Sequence, residues 1–309
     1  MMKTGTSRVR RFAHIAGLAT VVASVAACVY MPGQQHSELG LSFSDAQTSK
    51  LVKTLEETSG LAQHGELLWT HNDSGDKARI YAINEQGEIQ KTVLIENGHN
   101  FDWEEMAHDK KHLYVADIGD NFGQREESYL YRLAWKDLEN VSDKGSVKAT
   151  KMTLRIAGKP KQVPNKEVHN FDFEGLANVG DELWLFSKNR QDGHSSLYRL
   201  NKNETEQTVS ASASYPVDML VTAVDYDQAR NEFAILGYQL GWNGMSSFLW
   251  RVKRSADGKS LDWSSAQRYD IEPDGQWEAV VWDSKQPGLL WLSREGNQQA
   301  DVALAKIQF

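Results

Sequence analysis

The sequence predicts an all-β protein, a β-propeller of five blades. One observation is a six-residue phrase that occurs twice, as HNFDWE at residues 99–104 and as HNFDFE at residues 169–174. Each copy continues into a short apolar stretch and then into two segments with the pattern of β-strands. Self-similarity on this scale indicates a repeat architecture, in which each unit buries its apolar face against the next.

A second observation is the spacing of the repeats, which extends the pattern over most of the chain. Anchored on the glutamate that ends the phrase, the equivalent positions are 59, 104, 174, 222 and 278, at intervals of 45, 70, 48 and 56 residues. Four-stranded propeller blades recur about every 40–50 residues, and loops absorb the longer intervals. Five repeats predict five blades, with a six-bladed ring containing one degenerate blade as the alternative.

The third observation is period-two alternation with many Trp and Tyr residues, which assigns the strands of each blade. The first strand passes through the anchor position, and the second and third lie at residues 67–70 and 79–83, 113–117 and 129–133, 183–187 and 196–200, 233–236 and 248–252, and 289–292 and 302–306. Fourth strands are predicted around residues 92–94, 152–156, 209–212 and 268–271. For the fifth blade, residues 39–43 or 51–54 are expected to supply the fourth strand and close the ring.

The first 27 residues predict an export signal. Four basic residues and no acidic one precede or flank an apolar run at residues 15–27, which is too short for a membrane span. The segment VAAC, ending at Cys28, resembles the lipobox of bacterial lipoproteins, which implies that this single cysteine carries palmitate or a similar lipid. The alternative is a secretory signal with an unrelated cysteine. We divide the chain into a signal (1–27), a lipidated N-terminus and tether (28–42) and a propeller (43–309).

The net charge excludes some partners. Removal of residues 1–27 takes away four positive and no negative charges, which moves the formal net charge from −8 to −12. A protein this acidic is not expected to bind nucleic acid or to reach an anionic membrane by electrostatics. We expect membrane contact through the lipid anchor only, in the bacterial cell envelope and by preference at the outer membrane.

The anchor positions place acidic side chains in the central channel, because the first strand of each blade lines it and alternate residues face it. One layer then contains Ser59, Glu104, Glu174, Thr222 and Glu278. The layer two residues earlier adds three acids, Glu57, Asp102 and Asp172. The layer two residues later is apolar and consists of Leu61, Met106, Leu176, Val224 and Val280.

Carboxylates this close need compensation, and no Lys or Arg falls in these layers. Hydroxyl and carboxylate oxygens are the ligands that hard cations prefer, so the layer through Glu104 predicts a Ca²⁺ site, with Mg²⁺ as second choice. The alternatives are protonated carboxyl groups or a water-filled polar tunnel.

Two resemblances follow from these residues. The order hydroxyl, Glu, Glu, hydroxyl, Glu around the axis resembles the central calcium site of the five-bladed calcium-activated nucleotidases (apyrases), over those five positions alone. The phrases SGL at 59–61, NDSG at 72–75 and DFEGLA at 172–177 are similar to exported bacterial propellers of the SdiA-regulated or phytase-esterase-like kind. The second similarity covers most of the mature chain and implies the propeller fold and metal binding, without a defined reaction.

The ends of the second strands bring polar residues toward the acidic mouth of the channel. They predict a ligand-binding surface of Asn72, Asp73, Asp117, Asp120, Lys188, Arg190, Tyr238 and Arg294. Acids on one side and bases on the other would hold a small anionic ligand beside a metal, or an envelope protein. Binding is the preferred function, and metal-dependent hydrolysis of a phosphoester or ester is the alternative, although no nucleophile–base pair can be named. Asn and Asp in such turns also bond backbone amides without any further function.

Overall fold

The computed structural model describes residues 39–42, 47–242, 244–296 and 300–309 and shows a protein built mainly of β-strands. The predicted export signal, Cys28 and most of the predicted tether lie outside these residues. The α-helix α1, Trp135–Asn140, is short. No helix in the described ranges has the length and apolar character needed to cross a bilayer.

The described strands are numbered in chain order. The first twelve are β1 (Leu39–Ser42), β2 (Thr48–Lys50), β3 (Thr58–His64), β4 (Leu67–Asn72), β5 (Arg79–Ile83), β6 (Ile89–Ile95), β7 (Trp103–His108), β8 (His112–Asp117), β9 (Ser128–Ala134), β10 (Ser146–Val147), β11 (Thr150–Ile156) and β12 (Phe173–Val179). The others are β13 (Glu182–Ser187), β14 (Ser195–Asn201), β15 (Glu206–Val209), β16 (Ala211–Tyr215), β17 (Leu220–Asp227), β18 (Glu232–Gly241), β19 (Gly244–Arg254), β20 (Leu261–Glu272), β21 (Trp277–Trp282), β22 (Leu289–Arg294) and β23 (Ala303–Gln308).

The strands form five small sheets in a ring, which confirms the prediction of a five-bladed β-propeller over the six-bladed alternative. From the channel outwards, blades one to five are β3-β4-β5-β6, β7-β8-β9-β11, β12-β13-β14-β16, β17-β18-β19-β20 and β21-β22-β23-β2. The inner strands contact one another in the order β3, β7, β12, β17, β21 and back to β3, so the ring is closed.

Large apolar side chains fill the spaces between blades. Between blades three and four, for example, Trp184 stacks on Phe233 with ring centroids 5.3 Å apart, and both are fully buried. Each such side chain stabilises the fold by about 1.5–3 kcal/mol relative to an exposed one. The alternation of the sequence places one such layer on each face of every blade.

The N-terminal segment closes the ring, but with residues other than those predicted. β2 pairs antiparallel with β23, Thr48 lying opposite Ala305, and completes blade five. β1 pairs parallel with β20, Leu39 lying opposite Tyr269, on the outside of blade four. Neither 39–43 nor 51–54 is therefore the closing strand. The open edge of β20 offers unpaired backbone groups that the earlier segment satisfies. Leu39 to Ser42, which form this pairing, lie inside the predicted tether.

Short parallel strands extend two other blades. β10 pairs with β6 and β15 pairs with β11, so the connection between the third and fourth strands of blades two and three adds an edge strand to the preceding blade. The strand predicted at residues 209–212 is consequently divided, because Val209 ends β15 on blade two and Ala211 begins β16 on blade three.

Each inner strand contains a β-bulge at the predicted channel layer. In blade two, Trp103 lies opposite Asp117 but Glu105 lies opposite Ala116, so Glu104 is the additional residue. The pairing shifts at the equivalent place in the other four blades. Because one inserted residue reverses the alternation beyond it, the predicted apolar channel layer does not form. Its members pack in the five apolar clusters between blades: Leu61, Met106, Leu176, Val224 and Val280.

The carboxylate of Glu105 closes the channel below the bulges. Its oxygens accept hydrogen bonds from the amide of Met106 at 2.8 Å and from that of Val224 at 3.0 Å. Blades two and four are not neighbours in the ring, so this side chain spans the axis. Burial raises the pKa of Glu105 well above its ordinary value, and the backbone amides that donate hydrogen bonds to its carboxylate oppose that effect. The equivalent positions of the other blades leave room for it: Gly60, Gly175, Ala223 and Ala279.

Candidate functional site

The acidic mouth is built from two rings of residues above Glu105. The bulge ring is the predicted metal layer and is buried throughout: Ser59, Glu104, Glu174, Thr222 and Glu278. The upper ring is formed by residues in or directly after the second strand of each blade. Its members come directly after the residue that pairs with the inner strand just before the bulge: Asp73, Ile118, Lys188, Tyr238 and Glu295. Lys188 is the single basic member of the two rings.

Of the three glutamates in the bulge ring, Glu104 alone belongs to a group of three described acids whose oxygens lie within 4.8 Å of one another. Lys188 Nζ donates to both carboxylate oxygens of Glu174 at 2.6 Å, and both side chains are buried. The expectation that no Lys or Arg enters these layers is therefore corrected, because Lys188 reaches down from the upper ring. Its ammonium is the counter-charge of Glu174 in this structure.

Lys188 and Glu174 form an ion pair. Burial disfavours the ammonium charge, but Glu174 and Glu278 hold the pKa of Lys188 well above its ordinary value. Burial also raises the pKa of Glu174, and Lys188 opposes that effect. One ammonium contacting both oxygens favours the ionised carboxylate, because a protonated carboxyl group would place a hydroxyl donor at one of them.

The other ring members have separate partners. Glu278 accepts a hydrogen bond from Gln276 Nε2 at 3.3 Å. The Ser59 hydroxyl donates to the carbonyl of Glu104 at 2.9 Å, and the Thr222 hydroxyl donates to the carbonyl of Trp277 at 2.7 Å. Both hydroxyl bonds join one blade to the next, so these two residues connect the ring.

Three carboxylates gather where blades one and two meet. Asp73, Asp102 and Glu104 each place one oxygen within 4.8 Å of the others, and we call these three residues the acidic cluster. A Cβ atom at Gly119 would collide with the side-chain oxygens of Glu104 and Asp102. The absence of a side chain at Gly119 therefore allows the two carboxylates to approach the backbone.

Burial and mutual repulsion raise the pKa values of the acidic cluster. The pKa of Asp73 is raised to about 7 by burial and then by Asp102, and that of Asp102 to about 6 by burial and then by Asp172. The pKa of Glu104 lies well above its ordinary value through burial and the nearby Glu174. Several acids of the mouth are therefore poised to ionise near neutral pH, and a bound cation would favour their ionised forms.

The two copies of the repeated phrase have different counter-charges. In blade three, Arg190 contacts Asp172 at 2.9 Å and Lys188 contacts Glu174, so both acids of the phrase are paired. Both cations come from the segment SKNR at residues 187–190, which begins at the last residue of β13. β13 is the second strand of blade three, as β8 is the second strand of blade two. The corresponding segment of blade two is DIGD at 117–120, which contains no base. The acids of the first phrase therefore have no basic partner at the equivalent positions.

Two predicted ligand-binding acids are held in internal ion pairs. Arg125 Nη1 contacts Asp117 at 2.7 Å, and Lys159 Nζ contacts Asp120. Asp120 also accepts the amide of Gln124 at 2.7 Å. These bonds fix the loop after β8, which is the structural role that turn chemistry suggests for such residues.

The remaining predicted ligand-binding residues are also engaged. Asn72 Nδ2 donates to the carbonyl of Thr54 at 2.9 Å, and Arg294 Nη2 donates to the carbonyl of Asp301 at 3.1 Å. The ring of Tyr238 lies 5.1 Å from Lys188 Nζ. Of the eight predicted residues, Asp73 alone belongs to the acidic cluster.

Sequence reasoning missed Asp102 as a member of the cluster and Arg125 and Lys159 as counter-ions. The signal for Asp102 is the difference between DIGD and SKNR after the two copies of the phrase. Arg125 and Lys159 lie in connecting loops outside the repeat. Alignment of the repeats therefore does not predict which residues their side chains contact.

Comparison with known proteins names no family for this chain. No family model matches it, and no curated protein matches it. Among solved structures, that of U3-55K is similar at 11% identity and a TM-score of 0.45, over 86% of this chain and 100% of that one. A functionally unknown protein from Desulfotomaculum acetoxidans is similar at 8% identity and a TM-score of 0.37, over 79% of this chain and 70% of that one.

A chain of the mitotic checkpoint complex is similar at 12% identity and a TM-score of 0.36, over 80% of this chain and 62% of that one. Such distant likenesses carry no functional argument, and the fold assignment rests on the five sheets. The resemblances to SdiA-regulated propellers and to the nucleotidases stay predictions.

Proposed function

We propose that the protein is a ligand-binding propeller whose acidic mouth holds one hard divalent cation through Asp73, Asp102 and Glu104. The observation that carries the proposal is the convergence of three carboxylate oxygens for which the described residues provide no ion pair. The second copy of the same phrase has an Arg and a Lys in the matching places. Buried carboxylates without compensation are costly, so protons or a cation must accompany them.

Calcium is the preferred ion and magnesium the second choice. Ca²⁺ takes oxygen ligands at about 2.3–2.6 Å, so oxygens on opposite sides of one ion lie about 4.6–5.2 Å apart. The acidic cluster, with its oxygens within 4.8 Å of one another, fits that span. Mg²⁺ requires shorter distances and a stricter octahedron. All three donors are hard oxygens, which argues against a softer metal such as zinc.

The charges of the mouth favour binding over hydrolysis. A hydrolase would need Lys188 and Arg190 to stabilise developing negative charge, but Glu174 and Asp172 neutralise them. A cation held by three carboxylates keeps coordination positions for a further oxygen ligand. We therefore propose that a carboxylate or phosphate group, on a small ligand or an envelope partner, is recruited through the cation.

The cation proposal predicts that Ca²⁺ raises the thermal stability of the protein and that Asp102→Asn removes most of this effect. At a free Ca²⁺ concentration 100 times the Kd, binding contributes about 2.7 kcal/mol. That contribution corresponds to a rise in Tm of several degrees for a domain of this size. The measurement is thermal unfolding after chelation, with and without Ca²⁺ restored.

Glu278→Gln is the matched control, because Glu278 belongs to the bulge ring and lies outside the acidic cluster. This variant is expected to keep the Ca²⁺ response. Equal loss in both variants would favour the five-residue ring instead, and a parent protein with no response at all would contradict the proposal.

The same titration has an expected pH dependence. Asp102 and Asp73, with pKa values raised to about 6 and about 7, must lose protons before they bind a cation. Affinity for Ca²⁺ is expected to rise about ten- to a hundredfold between about pH 5.5 and about pH 8. Without Ca²⁺, the stability of the fold is expected to fall as the pH rises. The stability contributed by protonated Asp73 and Asp102 is lost as the pH rises through their two pKa values.

We further propose that the propeller is a lipoprotein of the bacterial envelope, anchored through Cys28 and by preference at the outer membrane. The support is the predicted export signal and its VAAC segment. Cys28→Ala is expected to move the protein from the membrane fraction to the soluble fraction and to remove labelled palmitate. Asp102→Asn is the control and is expected to remain with the membrane. A Cys28→Ala protein that still sediments with membranes would disprove the anchor.

A further inference from the structure

A second cavity opens at the end of the ring opposite the acidic mouth. It has a volume of about 1030 Å³, and the hairpins between the first and second strands of all five blades line it. Glu105 closes the channel between this cavity and the mouth, so the two sites are separate. Small-molecule sites usually occupy about 300–1,000 Å³, so this cavity is slightly larger than the upper limit of that range.

The walls of the cavity carry balanced charge. Five basic and five acidic side chains line it, and several are bonded to their neighbours. Asp283 accepts hydrogen bonds from Gln63 Nε2 at 2.8 Å and from Trp291 Nε1 at 2.9 Å. Lys202 Nζ donates to the carbonyl of Gly180 at 2.6 Å and lies 3.6 Å from Asp109. Asp283 and Lys202 are therefore already bonded within the wall, and the formal charges of the lining Lys, Arg and Asp side chains cancel.

Polar groups from blades two and four have bonding capacity left at the inner end of the cavity. The His108 side chain, at the end of β7, forms no hydrogen bond with the residues that the structure describes, and it lines the cavity. Asp225, on β17, accepts the amide of Trp282 at 2.8 Å, which leaves further acceptor positions on its carboxylate. The two side chains are close enough that Asp225 opposes the lowering of the His108 pKa by burial.

The hydrogen-bonding character of this pair is mixed. Burial lowers the pKa of His108, so the imidazole is neutral at pH 7 and presents one donor and one acceptor. Donors and acceptors of this kind, in a wall with no net charge, match alcohol groups better than ions.

We propose that this cavity binds a neutral polyhydroxylated ligand of about the size of a di- or trisaccharide, with His108 and Asp225 as its polar anchors. Adjacent hydroxyl groups of a sugar offer donors and acceptors side by side, which an imidazole and a carboxylate can bond together. The size of the cavity accommodates such a ligand, and the closed channel keeps it apart from the acidic mouth. This site does not depend on the cation proposed above.

The test is calorimetric titration of the protein with maltotriose, cellotriose and chitotriose, and with glucose 6-phosphate as a charged comparator. At least one neutral sugar is expected to bind, and glucose 6-phosphate to bind more weakly or not at all. His108→Ala and Asp225→Asn are each expected to weaken that binding about ten- to a hundredfold, which is the effect of losing one or two strong hydrogen bonds. Asp102→Asn, at the other mouth, is expected to leave it unchanged.

A steric variant keeps the test decisive if Asp225→Asn fails to fold. Ala229 is exposed in a turn that lines the cavity, so Ala229→Trp is expected to fill the space without removing a polar contact. This variant should fold and lose sugar binding. The proposal is overturned if no neutral sugar binds, if glucose 6-phosphate binds more tightly, or if Ala229→Trp binds as the parent does.

Discussion

Lys188→Met is expected to lower the free energy of unfolding by about 3–5 kcal/mol. The substitution removes the ammonium that donates to both oxygens of Glu174 and leaves a side chain that is 4% exposed without its counter-ion. Because burial already raises the pKa of Glu174, the loss should be larger at alkaline pH, where that group is ionised. The measurement is urea unfolding of parent and variant at matched Ca²⁺ concentration.

Two controls separate the ion pair from a general effect of substitution. The double variant Glu174→Gln/Lys188→Met is expected to recover part of the lost stability, because it leaves no uncompensated charge. Lys110→Met changes an exposed lysine and is expected to alter stability by less than about 0.5 kcal/mol. A Lys188→Met protein as stable as the parent would show that the pair does not form in solution.

Glu105→Ala is expected to destabilise the fold by about 3–5 kcal/mol. It leaves the amides of Met106 and Val224 buried without acceptors, and each such loss costs about 1–3 kcal/mol. The vacated space on the axis adds a cavity term. Thermal unfolding should show a Tm well below that of the parent, since the bond to Val224 connects blades two and four across the axis.

Glu105→Gln is expected to give an intermediate loss, because the amide keeps one acceptor oxygen and turns its NH₂ group toward the other backbone donor. Glu126→Ala removes an exposed glutamate from the loop before β9 and is expected to have little effect. If Glu105→Ala unfolds with the midpoint of Glu126→Ala, the carboxylate does not stabilise the fold across the axis.

The blade count was predictable because it depends on local patterns. The phrase ending in Glu104 and Glu174 and the alternation of the second and third strands are both visible in the chain. The closing strand was not predictable, since its pairing with β23 joins residues from opposite ends of the propeller sequence. The apolar channel layer failed for a related reason, because one bulged residue in each inner strand reverses the alternation.

The candidate site was likewise predictable only in part. The sequence identified the acids of the bulge ring and placed Asp73 beside them. It did not show that Lys188 turns toward Glu174, because a long side chain can point to solvent or inward with the same backbone. The contacts of Lys188 with Glu174 and of Arg190 with Asp172 therefore decide which acids of the two phrases are paired, and only the tertiary structure shows these contacts.

Taken alone, the amino-acid order determined that five similar units surround an axis and that acids lie on their innermost strands. Repetition and alternation are properties of neighbouring residues, so they can be read without coordinates. Only the tertiary structure decided which acids receive an internal cation, which carboxylate crosses the axis and where the second cavity opens. Those outcomes depend on distances between blades, and residues far apart in the chain set them.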